Sequence, residues 1–233
     1  MIIRRLVEQA DSGAVLAVDA DPNSCLGLTL GVEPVGIVAD IRDNVRSKEP
    51  SIAGMDRVRT VEYGIQQAIT ESDGFDLLTM GHPEGPDCYC AINNMLRKFL
   101  DTLSSKYRYV VVDNEAGMEH LSRRTTNNVD LLCIVAEPTP IGSVTARRIS
   151  SLVKQLPIGV KQIGVIWNKV MDQSDTQDYS VDEVETFGYI PSDAVVFDNS
   201  VKGKTVFELG KDNPAYSAID KILEDVLTLS SSS

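Results

Sequence analysis

The stretch VLAVDADPNSCLG, residues 15–27, decides the class of fold. An apolar run from Ala14 to Val18 closes on Asp19, and Asp21 follows two residues later. A short run with no polar alternation is buried on both faces, which is how a strand inside a parallel sheet reads. The same pattern returns at Leu77 to Met80, Tyr109 to Val112, Leu131 to Val135 and Ile163 to Trp167, and a weaker strand is predicted at Ala194 to Phe197. Helical spacing separates these runs. On the N-terminal side, Ile2, Ile3, Leu6 and Val7 form one face of a helix that Asp11-Ser12-Gly13 ends. On the C-terminal side, helices are predicted over Ile92 to Leu103, Ser143 to Gln155 and Ala215 to Leu229. Strands alternating with helices imply an α/β fold, a mostly parallel sheet with helices on both faces. A single domain over residues 1–229 is expected, with a fraying tail at 230–233. Segment 171–186 reads as an acidic loop with a short helix.

Several predicted strands end in a polar residue: Asp19, Asp113, Glu137 and Asn168. In an open parallel sheet, ligands bind beyond the carboxyl ends of the strands, so these side chains are expected to crowd one edge. In YVVVDNEAG, residues 109–117, a carboxylate follows a buried strand and Ala116-Gly117 comes next. That is the Walker B arrangement. Asp113 is placed to hold Mg²⁺ through water, and Gly117 to let a backbone N–H approach a γ-phosphate.

The bulk numbers exclude other classes. The 233 residues are 42% hydrophobic and carry a formal net charge of −12. That length supports one large core, and that charge repels nucleic acid and anionic lipid. No run reaches the roughly 18 apolar residues of a membrane span, and no signal peptide is evident. Four cysteines, two of them one residue apart, do not form a disulfide framework and point to a reducing cytoplasm. The close pair is Cys88 and Cys90, flanked by Gly85, Pro86 and Asp87. At spacing i, i+2 in an extended segment both thiols face one way. A following helix N-terminus favours the thiolate that binds metal. Cys133, inside LLCIV, reads as a core thiol, and Cys25 as a packing residue or one that responds to the loop around Asp21. His82 and His120 read as a solvated loop residue and a packing residue.

Four segments together carry a resemblance: VDADPNSCLG at 18–27, CYC at 88–90, VVVDNEAGMEHLSRRT at 110–125 and WNKV at 167–170. The chain resembles the deviant Walker ATPases, P-loop NTPases of the SIMIBI type that include MinD, ParA and the nitrogenase iron protein. Within them it is most similar to the CooC-type nickel-insertion ATPases that mature carbon monoxide dehydrogenase. The resemblance implies ATP/ADP and Mg²⁺ as cofactors. Asp21 matches the switch I carboxylate that positions the attacking water, and Asp19 the acidic residue before it, nearer the metal. Asp113 matches the Walker B carboxylate and Gly117 the switch II glycine. Asn168 matches the asparagine that reads adenine, with Lys169 beside it, and Pro191 sits where backbone wraps the base. It also implies a homodimer in which Cys88 and Cys90 of each copy bind Ni²⁺ or Zn²⁺. Two thiolates alone are too few for a soft-metal site, and a second copy across a two-fold axis supplies four. A carbon monoxide dehydrogenase-type enzyme is the implied client.

One part of the family pattern is missing. No GxxxxGK[S/T] occurs in the chain, and Gly203-Lys204-Thr205 lacks both the earlier glycine and a strand leading into it. Such a loop cradles phosphates on backbone N–H groups and places a lysine on their charge. The expectation is therefore an N-terminally shortened sequence, with a pseudo-ATPase as the alternative and ATP hydrolysis by the chain left open. A positioning ATPase like MinD or ParA is the other alternative, though the acidic C-terminus AIDKILEDVLTLSSSS lacks the cationic membrane helix that role uses.

Overall fold

The computed structural model describes residues 1–9, 15–41, 54–81, 103, 106–115, 128–156, 158–171, 181 and 184–230. The chain gathers into two compact units, one of Leu6–Thr126 and one of Met1–Arg5 with Asn127–Ser233.

In the unit of Leu6–Thr126, four strands stand in the order β2-β3-β1-β4. They are β1 (Val15–Asp19), β2 (Thr70–Glu71), β3 (Phe75–Thr79) and β4 (Tyr109–Asp113). Strand β1 runs parallel to both β3 and β4, and only β2–β3 is antiparallel. Every residue of β1 is buried, as its unbroken apolar run requires. Helix α3 (Gly54–Ala68) covers one face, where Val61 and Ile65 meet Leu16, Val18 and Leu78. Helix α2 (Leu26–Leu30) follows β1 and stops at Gly31, whose φ of 76° is left-handed and favours glycine. Strand β4 departs from the expectation of burial on both faces. Val110 and Val112 are 37% and 36% exposed, because among the described residues β4 pairs only with β1.

The second unit holds β5 (Asn128–Ala136), β6 (Gly159–Val170) and β7 (Glu185–Pro191), all parallel and in that order. Helix α4 (Pro140–Val153) starts where Thr139 Oγ1 accepts from the Gly142 N–H, with Pro140 in the first turn. Helix α6 (Pro214–Ser230) lays Ile219, Ile222, Leu223 and Val226 against Ile166, Phe187 and Ile190. The start of α1 (Ile2–Gln9) belongs to this unit. Buried Arg4 donates to the carbonyls of Val206 and Leu209 at 2.8 and 2.7 Å and stacks on Tyr216.

The sequence places a strand at Ala194 to Phe197, and the structure corrects this. Residues Ala194–Val201 form helix α5, and the strand lies earlier, at β7. The local cause is Asp193, whose carboxylate accepts from the Val195 and Val196 N–H groups at 2.8 and 2.9 Å and nucleates a helical turn. Helices α2 and α3 were also unforeseen. The predicted helix over Ile92 to Leu103 lies almost wholly outside the described residues. The mostly parallel α/β architecture itself is as expected.

Candidate functional site

The carboxyl edge of the β3-β1-β4 sheet gathers the first set of predicted residues. Asp19 is in register with Thr79 on one side and Asp113 on the other. Register partners in parallel strands carry their side chains on the same face. The three side chains therefore stand level across three strands. Asp19 is fully buried, and both of its oxygens are engaged. Oδ2 accepts from the Leu26 N–H at 2.9 Å, at the start of α2, and Oδ1 from the Asp21 N–H at 3.2 Å. Asp19 thus holds the ends of the 21–26 loop. Asp21 sits in that loop, with Oδ1 accepting from Asn23 N–H and Nδ2 at 2.8 and 2.9 Å. Ser24 takes a left-handed φ of 51° within the same turn. Asp113 lies at the accessible end of β4.

The electrostatics follow from this crowding. Burial raises the Asp19 carboxyl above its ordinary value, against the pull of its two N–H donors. Asp113 is also raised, first by desolvation and then by the charges of Asp19 and Asp21. Two acceptors that sequence reasoning missed lie beside them. Thr79 Oγ1 and Asn114 Oδ1 are buried with no hydrogen-bond partner among the described residues. Only strand register could have revealed Thr79, since a threonine ending an apolar run is otherwise ordinary. An edge with two carboxyls raised chiefly by burial and with spare oxygen acceptors fits a hydrated divalent cation, a hard ion that keeps its waters and needs few protein ligands. Among the described residues no three carboxylates, histidines or cysteines converge as a metal-ligand cluster.

The second set stands in the other unit, at the carboxyl end of β5-β6-β7. Asn168 and Lys169 fall between the register pairs Trp167↔Tyr189 and Val170↔Pro191. Two residues of β6 oppose one of β7, which is a β-bulge. The structure thereby brings Asn168, Lys169 and Pro191 together. Lys169 has a φ of 58° and its Nζ donates to Glu137 Oε1 at 2.6 Å. Met171, Ser192, Asp193, Ala194 and Phe197 line an open cleft of about 450 Å³ next along the chain. Hydrogen bonds from the Val196 N–H, then others, hold the Asp193 carboxyl below its ordinary range despite some desolvation. Its position directly before an apolar helix was the available signal for its capping role.

Cys88, Cys90 and Gly117, with His82 and His120, lie outside the described residues. Cys25 is exposed at the start of α2. Cys133 is half-buried, and desolvation pushes its thiol up to about 11. It is therefore protonated near neutral pH.

Carboxylates at the carboxyl ends of adjacent parallel strands mark the edge where an α/β protein of this kind takes its ligand, and the chain belongs to the family of ATP-binding proteins formed by its relatives. It is 36% identical to an uncharacterized ATP-binding protein of Methanocaldococcus jannaschii, over 97% of this chain and 91% of that protein. It is 30% identical to the carbon monoxide dehydrogenase accessory protein CooC of Rhodospirillum rubrum, over 84% of this chain and 79% of CooC. Among solved structures, the MinD cell division protein of Aquifex aeolicus aligns with a TM-score of 0.66 at 21% identity, covering 97% of this chain and 88% of MinD. The MinD protein of Pyrococcus horikoshii, solved with Mg-ADP, aligns with a TM-score of 0.68 at 19% identity, covering 98% and 88%. These likenesses to MinD concern the fold. No family model matches the chain.

Proposed function

We propose that the chain is a cytoplasmic, ATP-dependent metal-insertion factor that matures a nickel enzyme of the carbon monoxide dehydrogenase type. The observation that carries the reading is the level row of Asp19, Thr79 and Asp113 with Asp21 in the loop beyond, in a chain 30% identical to CooC. In this reading Asp113 holds Mg²⁺ through water, and the ion's role is to neutralise phosphate charge as it develops. Asp21 has one carboxylate oxygen outside its turn hydrogen bonds and orients the attacking water. Asp19 does not reach the nucleotide directly but sets the loop that carries Asp21. Gly117 would offer its backbone N–H to the γ-phosphate. Asn168 and Pro191 flank the adenine.

The cargo site is the Cys88–Cys90 pair of each of two copies, four thiolates around Ni²⁺ or Zn²⁺. Nucleotide binding favours one dimer geometry, and that geometry favours metal, so the two ligands are coupled through a population shift. Equilibrium dialysis of the purified chain with Ni²⁺ and with Zn²⁺ tests this. One metal per two chains is expected, lost in the Cys88→Ser, Cys90→Ser double variant. Unchanged stoichiometry in that variant removes the cargo site.

A further inference from the structure

We infer that Glu137 and Lys169 form a latch that positions Asn168, so that Lys169 serves the base-reading site through its backbone rather than through its ammonium group. The inference rests on the nucleotide-binding reading above. Three observations carry it. First, Lys169 holds a φ of 58°, a left-handed conformation that side-chain-bearing residues adopt only when their surroundings enforce it. Second, the register shows what enforces it. Ala136 of β5 pairs with Trp167 of β6, so Glu137 and Asn168 are the next residues along neighbouring strands. From there the Lys169 ammonium reaches Glu137 Oε1 at 2.6 Å, tying the bulge of β6 to the end of β5. Third, the twist turns the Lys169 N–H onto Asn168 Oδ1 at 3.0 Å. A backbone N–H needs an oxygen opposite it, which fixes the side-chain amide in one of its two orientations. Nδ2 of Asn168 is then the end left to donate, and a ligand must present an acceptor there, such as a purine ring nitrogen.

A lysine that touched the nucleotide itself would behave differently on substitution. In the latch, Lys169→Met leaves a side chain in the left-handed region without its tether. Lys169→Gly loses the tether too, but glycine adopts that region freely. Glu137→Gln removes the partner and frees the ammonium. For a positioning role the expected order of loss is Met, then Gln, with Gly closest to wild type, and Lys169→Arg retains function. An exposed pair, with side chains 65% and 54% accessible, supports losses of about three- to fivefold and no more. For a direct contact, Met and Gly lose equally and Gln gains.

The readout is ADP affinity of the full chain, followed by emission of Trp167, the chain's one tryptophan, which is buried next to Asn168. Inorganic tripolyphosphate, which carries no base, is titrated in parallel and should bind all variants alike. Equal losses for Met and Gly, or a gain for Gln, overturn the latch while leaving the nucleotide reading intact. If the wild-type chain binds no ADP, that reading fails and the latch is judged by amide hydrogen exchange. Faster exchange at Lys169 in the Met and Gln variants but not in Gly upholds it, and equal exchange in all four chains rejects it.

Discussion

Asp19 and Asp113 end neighbouring strands in register, yet they have different duties. Both oxygens of Asp19 are spent on backbone N–H groups, whereas Asp113 stands at the accessible strand end. Their shared electrostatic strain gives a residue-scale prediction. Desolvation, then Asp19 and Asp21, raise the Asp113 carboxyl above its ordinary 3.8. A raised folded-state value means the native chain takes up that proton before the unfolded chain does. The charged group therefore costs stability above its folded value. That cost is relieved as pH falls from the folded value towards 3.8. Asp113→Asn should raise the melting temperature at pH 7 and flatten the rise in relative stability across that acidic window. A variant with the pH profile of the wild type contradicts the assignment. A gain in stability on removing a functional group is the usual trade at such a site. At this scale the sequence was informative about charge but not about neutral partners. A carboxylate after an apolar run is conspicuous. Thr79 becomes significant only when register sets it beside Asp19, and the Asn114 amide only through its buried oxygen without a partner among the described residues.

Among the elements, the strands with unbroken apolar runs, β1, β3, β4, β5 and β6, were the legible ones. Strand β1 can be read because it has strand neighbours on both sides, and continuous apolar character follows from that. Strand β7, ETFGYIP, was missed because only Phe187 and Ile190 of its seven residues are buried. Helix α3 was legible in principle from Val61, Ile65 and Ala68, which recur at helical spacing. Helix α5 was misread because Val195, Val196 and Phe197 favour strands by composition, while one side chain outside the run decides the matter. That gives the second prediction. Asp193→Ala removes the acceptor for two N–H groups and should destabilise the chain by about 1 kcal/mol, with a range of 0.5–2. Asp193→Asn keeps an acceptor oxygen and should cost less. Because α5 buries none of its residues, packing offers little compensation. Urea denaturation of the two variants checks the order, and equal midpoints for Ala, Asn and wild type exclude the cap.

At the scale of the molecule, no helix among the described residues is long and apolar enough to cross a membrane. The two compact units each have their own core. Leu16, Val18, Ile65 and Leu78 centre one, while Ile166, Phe187, Ile222 and Val165, Trp167, Val170 centre clusters of the other. Cores without shared residues can melt separately, and two-state behaviour is then not guaranteed. The placement of Trp167 makes this measurable, since its emission reports on the second unit alone while far-ultraviolet circular dichroism reports on helices and strands of both. With β4 paired, among the described residues, only with β1 and two of its valines exposed, the unit of Leu6–Thr126 should unfold first. The expected result in guanidinium chloride is a circular dichroism transition that begins at lower denaturant than the tryptophan transition. In the proposed reading Mg-ADP engages the carboxylate edge of the first unit, so it should move the earlier step towards the later one by mass action, by about 2.7 kcal/mol at a hundredfold excess over its dissociation constant. Coincident curves in the absence of nucleotide would show that the chain unfolds as one cooperative body.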